Sequence, residues 1–225
     1  MSKGEVLLLD SWVSPFCMRV KIALNEKGVK YEHREEDLFG GKSEVLLISN
    51  PIHKKVPVLL HNGKPLSKYV IIVGYIDETW ASPPLLPSCA YGRAKARFWA
   101  DFIDKTLYDA GTRIWRTDGE AREAATRDFI EILKQLEEAL GDKNYFGGDG
   151  DAFGFVDIIA IGVASWFHAY EKFGGFEVAD HRPKLSGWLK RCKQRESVRK
   201  VLPDPEKVYE FLVILKKMQG PGPGT

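Results

Sequence analysis

The chain has 225 residues, enough for one large or two small domains with a sizeable buried core. Its formal net charge is only +2, with Lys and Arg interleaved with Asp and Glu almost throughout. That excludes the electrostatic footprint of a nucleic-acid binder, and basic stretches such as 190–200 read as solvated helix faces. No apolar run approaches membrane-spanning length. Val6 to Leu9 is too short for a signal-peptide core and is closed by Asp10, so the cytosol is the expected compartment. Cys17, Cys89 and Cys192 are odd in number and far apart, which fits neither a disulfide framework nor a zinc site, and no metal is expected.

In chain order, β-rich runs at Val6 to Leu9, Tyr31 to Glu35, Val58 to His61 and Lys64 to Leu66 alternate with helical patterns at Pro15 to Lys27, Ser43 to Ile48 and Tyr69 to Glu78. This order predicts a small mixed sheet with a parallel crossover at its start and an antiparallel edge at its end. Asn62-Gly63 between two extended runs is a strong hairpin signal, because both central residues of a type I′ turn need positive φ. Pro57 cannot donate to a ladder, which suits a strand start or a cis bond after Val56. Lys54-Lys55 just before it allows either an ordinary edge hairpin or a site for a small anion.

Pro83, Pro84 and Pro87 interrupt helix and sheet alike, so 81–90 reads as a linker between a domain over 1–80 and another over 91–219. Beyond it the periodicity is helical. Tyr91 to Trp115 and Ala121 to Leu140 are expected as long amphipathic helices, with further helices starting near Gly154, Pro183 and Pro205. Asp157 falls at the third position after a Gly154 cap and reads as structural. Phe146 to Gly150 is a Gly-rich loop, and 220–225 is an expected disordered tail.

Ser14-Pro15 has two readings. A Ser cap followed by Pro at the first helical position is a helix start. The same hydroxyl, beside the positive end of the helix, is also placed to stabilise a thiolate by hydrogen-bonding its charged form. Ser14 would then be an activating donor, with no acyl-enzyme implied.

Several motifs in the first half, Ser14-Pro-Phe-x-Met-Arg19, Glu26-Lys-Gly28, Asn50-Pro-Ile-His-Lys-Lys-Val-Pro-Val-Leu-Leu60 and Ile71-Ile-Val-x-Tyr-Ile-Asp-Glu78, resemble those of the plant tau-class glutathione transferases. So do Tyr145-Phe-Gly-Gly148, Phe153-Gly-Phe-Val-Asp157 and Leu202-Pro-Asp-Pro-Glu-Lys-Val-Tyr-Glu-Phe211 in the second half. The resemblance implies a thioredoxin-like α/β N-terminal domain, an all-helical C-terminal domain and a cytosolic homodimer. It implies conjugation of glutathione, as co-substrate and without a further cofactor, to apolar electrophiles in detoxification. In this reading Ser14 stabilises the thiolate, Lys42 and Lys55 meet glutathione carboxylates, and Val56, held by Pro57, offers its backbone to the cysteinyl unit. Phe16, Tyr108, Thr112, Trp115, Trp166 and Phe211 line the second substrate's pocket, with Thr112 standing where many relatives carry a basic residue.

The chain departs from the family pattern at Lys68-Tyr69, where Glu-Ser is expected. In the family that carboxylate holds the γ-glutamyl ammonium and the Ser holds the neighbouring carboxylate. Removing one partner of a buried charge pair costs about 2 to 5 kcal/mol, so glutathione affinity is expected to fall by on the order of tens to thousands of fold. The alternative is that both side chains turn outward while Lys42, Lys55 and Val56 keep the tripeptide. A non-catalytic ligand carrier and a glutathione-dependent isomerase are the competing functions. Cys17 matches the resolving position of thioredoxin-like reductases, but Ser14 replaces the attacking cysteine, so thiol-disulfide exchange ranks below these.

Overall fold

A computed structural model describes residues 4–37, 39–147 and 151–219. The chain divides into two compact units, 1–85 and 86–225.

In the first unit, strand β1 (Val6–Asp10) leads into helix α1 (Pro15–Glu26), strand β2 (Glu32–Glu35), helix α2 (Glu44–Ser49), strands β3 (Val58–His61) and β4 (Lys64–Ser67), and helix α3 (Tyr69–Thr79). The sheet order is β2-β1-β3-β4, with β2 parallel to β1 and the other pairings antiparallel. This is the mixed sheet expected from the element order, and it fits the thioredoxin-like domain that the resemblance implies. The hairpin turn has φ of 52° at Asn62 and 75° at Gly63, as its sequence required. Leu8, Leu9, Val58 and Leu59 of the sheet and Val20, Ile22, Ala23, Leu24, Ile72, Val73 and Ile76 of the helices are buried and form the core.

The segment after α3 is tied to the first unit. Asp77 accepts from the Leu85 N–H at 2.8 Å and pairs with Lys27 at 2.6 Å, while Lys27 also donates to the Pro83 carbonyl. Leu85 and Leu86 are buried. The rest of the proline-rich stretch over 81–90 is exposed, apart from the half-buried Pro87. The peptide bonds before Pro57 and Pro83 are cis.

The second unit is helical: α4 (Ala90–Phe102), a π-helical turn (Ile103–Leu107), α5 (Tyr108–Arg116), α6 (Gly119–Leu140), α7 (Phe155–Ala164), α8 (Phe167–Gly174), α9 (Val178–His181), α10 (Pro183–Gln194), α11 (Glu196–Arg199) and α12 (Pro205–Gln219). The single helix expected over Tyr91 to Trp115 is corrected: a π turn splits it, with the Tyr108 N–H bonded to the Ile103 carbonyl, one residue further back than an α-helix allows. Every residue of α7 is buried, as a helix apolar all round should be. Asp157 closes its start as the sequence predicted, accepting from the Gly154 N–H at 3.0 Å. Residues 148–150 and 220–225, the rest of the Gly-rich loop and the expected tail, lie outside the described residues.

Candidate active site

The sheet register brings three chain segments together. Leu9 pairs with Val58 and Val58 with Ser67. Continued past the ladder, this register sets the β1 exit, Val56-Pro57 and Lys68-Tyr69 side by side at one end of the sheet, with strands about 4.8 Å apart. Three stretches distant in sequence therefore meet at one edge. Ring contact between Phe16 in the first turn of α1 and Tyr69 at the first position of α3 agrees with this: their centroids are 4.8 Å apart and the planes 25° from parallel.

Ser14 is the N-cap of α1, and its Oγ accepts the Cys17 N–H at 3.3 Å. It is half-buried. A hydroxyl can donate its proton while its oxygen accepts, so capping does not consume the donor. Cys17, by contrast, is fully buried. Burial pushes its thiol up to about 12, opposed by a side-chain hydrogen bond with Ser14 and one from the Ser11 backbone. The Cys17 thiol therefore stays protonated at neutral pH and does not draw the Ser14 proton as a thiolate would. This fits its rank as an inert residue rather than a redox centre.

Val56 is partly buried against the cluster of Leu9, Leu46 and Val58. The loop before it is organised by a residue that carries no role in the sequence reading, Asn50, which is buried. Its Nδ2 donates to the Lys55 carbonyl at 2.9 Å and its Oδ1 accepts the His53 N–H at 3.3 Å. Its backbone carbonyl accepts from Lys54 at 2.8 Å, where φ is +52°. An Asn before Pro at a helix end is a turn signal that would have pointed to it. Glu36, also buried, holds the other loop: it accepts from the Ser43 N–H at 3.0 Å and from the Ser43 hydroxyl at 2.6 Å. Ser43 in turn caps α2 through the Leu46 N–H at 3.1 Å. Lys42 and Lys55 extend into solvent from these two braced loops.

Lys68 is exposed, at φ 72° and ψ 106°, and α3 has no side-chain cap. Tyr69 does not turn outward. Besides stacking on Phe16, its ring lies 4.4 Å from the Arg19 guanidinium carbon, which is 5.2 Å from the Phe16 ring centroid. Arg19 is fully buried. Apart from its place in the Ser-Pro-Phe motif, its sequence signal was only a basic residue amid the apolar stripe of α1.

In the second unit, Tyr108 and Trp166 come together, with ring centroids 6.2 Å apart. Thr112 and Trp115 follow Tyr108 on α5 at spacings that share a helix face, and both are buried, as is Trp166, whereas Tyr108 and Phe211 are half-buried. The Thr112 hydroxyl and the Trp115 indole N–H are buried without a hydrogen-bond partner, an unusual pair of vacancies one helical turn apart. The end of α5 is held by Lys216 on α12, which donates to the carbonyls of Trp115 and Thr117, each at 2.9 Å, and pairs with Asp118 at 3.0 Å. Among the described residues there is no cluster of His, Cys, Asp or Glu fit to hold a metal ion, and no helix is long and apolar enough to cross a membrane.

Comparison with known proteins places this geometry in a family. Residues 5–78 match the family described as glutathione S-transferase, N-terminal domain, and 119–191 match the C-terminal domain. Glutathione S-transferase U19 of Arabidopsis thaliana is 61% identical over 215 residues, 95% of this chain and 97% of its own. Probable glutathione S-transferase parC of Nicotiana tabacum is 58% identical over 222 residues, 98% of this chain and 99% of its own. The crystal structure of rice GST1 in complex with glutathione superposes with a TM-score of 0.94 at 50% identity, covering 98% of this chain and all of that one. The tau-class enzyme from mango gives 0.88 at 42% identity over 95% of this chain. With both halves matched in order and relatives aligned nearly end to end, the chain belongs to the tau class of the glutathione S-transferases, enzymes that use glutathione as co-substrate.

Proposed function

We propose that this chain conjugates the glutathione thiolate to apolar electrophiles in the cytosol, with weakened glutathione affinity. The observation that carries this is the meeting, at one end of the sheet, of a serine hydroxyl with a proton to spare, the Val56 backbone and the start of α3. The Ser14 O–H donates to the glutathione sulfur, and the N-terminus of α1 adds favourable potential for the anion. Val56 pairs with the cysteinyl backbone as a short strand addition, and Lys42 and Lys55 meet carboxylates. Tyr108, Trp166 and Phe211 supply the apolar wall for the electrophile, with Thr112 and Trp115 buried on the same face of α5 behind Tyr108. Catalysis comes from a lowered thiol pKa and from holding two reactants together.

Lys68 and Tyr69 carry the weakened affinity: a cation and a ring occupy positions where the family resemblance implies a carboxylate and a hydroxyl. They also favour a second reading, a ligand carrier that keeps the pocket and has largely lost glutathione. Calorimetry separates the two. Micromolar glutathione binding, with a thiolate absorbance that titrates at lower pH on the protein than in solution, supports the transferase. Absent or millimolar binding, or an unshifted thiol, favours the carrier.

A homodimer completes this reading. Tyr91 at 75% exposure and Phe98 at 61% on α4, with Ile52 at 85% in the first unit, are large apolar side chains in contact with water. A second copy would cover them, and light scattering at the mass of one chain would remove this part of the proposal.

A further inference from the structure

We infer that Lys68 makes the glutathione site selective for thiol tripeptides whose glutamyl end lacks a positively charged amine. This rests on the glutathione-site reading above and names the ligand class that the site prefers. The groups brought beside the start of α3 are positive. The start of α3 presents first-turn N–H groups with no side-chain cap, the first intrahelical bond being that of the Ile72 N–H to the Lys68 carbonyl at 2.9 Å. The start of α1 is brought beside it by the Phe16–Tyr69 stack at 4.8 Å, with the buried Arg19 guanidinium against both rings. Lys42, Lys55 and Lys68 are exposed, and among the described residues none of them is ion-paired to a carboxylate.

The neighbouring buried carboxylates are already engaged. Asp10 pairs with Lys21 and, at 3.4 Å, with the His33 ring, and Glu36 binds Ser43 twice. No free acid remains among them to receive an ammonium. The last ladder pair is Val58 with Ser67, so Lys68 follows directly at the end of the sheet where Val56-Pro57 enters, beside the backbone that would hold the cysteinyl unit. The glutamyl end of a tripeptide seated there points at the β4–α3 junction. Its carboxylate is attracted by Lys68 and the start of α3, and its ammonium is repelled by both. A tripeptide with the carboxylate but no amine keeps the attraction and loses the repulsion.

Calorimetry at low salt with glutathione and with glutaryl-cysteinyl-glycine, which lacks only the amine, tests this on the wild-type protein, Lys68→Met and Lys68→Glu. The wild type should bind the glutaryl tripeptide tighter by about 3- to 10-fold, the scale of one exposed ionic contact plus a helix-terminus contribution. High salt should shrink the preference. Lys68→Met should reduce it, and Lys68→Glu should invert it. Glutathione binding as tightly as the glutaryl tripeptide or tighter in the wild type, or one ratio shared by all three proteins, would overturn the inference and leave the transferase reading intact. If neither tripeptide binds any of the three, the glutathione site itself is wrong and the inference falls with it.

Discussion

The starts of α1 and α7 are closed by side chains in opposite ways. At α7, both Asp157 oxygens are occupied: Oδ1 accepts from the Phe146 N–H and the Trp188 indole, each at 2.8 Å, and Oδ2 from Gly147 at 3.1 Å and Gly154 at 3.0 Å. A carboxylate has about four acceptor positions, so this one is saturated. Burial pushes the Asp157 carboxyl up, and the four donors oppose it. At α1, Ser14 spends its acceptor on the cap and keeps a proton to give, at a half-buried surface. Both are capping residues by sequence. What separates the structural one from the chemical one is whether hydrogen-bonding capacity is left over where a ligand can reach it.

The saturated side of this comparison breaks hardest. Asp157→Ala strands four donors in a dry interior, each orphan costing about 1 to 3 kcal/mol, so the unfolding free energy should fall by about 4 kcal/mol or more. Asp157→Asn should lose much of the same, since its amide group would face N–H donors with more donors. Urea titration followed by circular dichroism measures both. A loss within about 1 kcal/mol for Asp157→Ala would mean that water replaces the carboxylate and that the junction is not a structural keystone.

The unsaturated side should break in activity and hardly in stability. Ser14→Ala removes the donor to the sulfur and should lower kcat/KM by about 100- to 1,000-fold, the scale of losing one donor to a developing anion. Its cost to folding should be that of one cap, about 1 kcal/mol. Ser14→Thr keeps both cap and donor and should retain much of the activity. An Ala variant that loses several kcal/mol of stability, or keeps its rate, would erase the distinction between the two caps.

The two caps were both visible in the sequence, and so was most of the first unit. Asn62-Gly63 dictated its turn, Ser14-Pro15 its helix start, and Pro57 its strand entry, because each acts through local φ preferences or a missing donor. The π turn at Ile103–Leu107 was not legible, since apolar residues across Phe98 to Leu107 satisfy a continuous helix and a shifted one equally well. The stack of Phe16, Tyr69 and Arg19 was hidden for another reason: it depends on where the start of α3 lands beside that of α1, which is set by sheet register. The Lys27–Asp77 pair likewise exists only once α1 and α3 pack. Local rules reach the elements, and the site appears once register joins them.

The start of α3 supplies a third case, with no capping side chain at all, and the smallest expected effect. Lys68 holds φ 72° and ψ 106°, a conformation that an L side chain rarely adopts, while its own side chain reaches solvent. Strain of this kind costs about 1 to 3 kcal/mol and persists where the surroundings enforce it. Glycine adopts such a conformation without the Cβ penalty but loses more freedom on folding, which offsets part of the relief. Lys68→Gly should therefore stabilise the fold by about 0.5 to 1 kcal/mol, read as a small rise in Tm. Lys68→Glu, which keeps the Cβ, should leave Tm nearly unchanged while altering tripeptide selectivity. A Gly variant less stable than wild type would mean that the Lys68 side chain contributes packing its exposure does not suggest, and the start of α3 would then join α7 on the structural side.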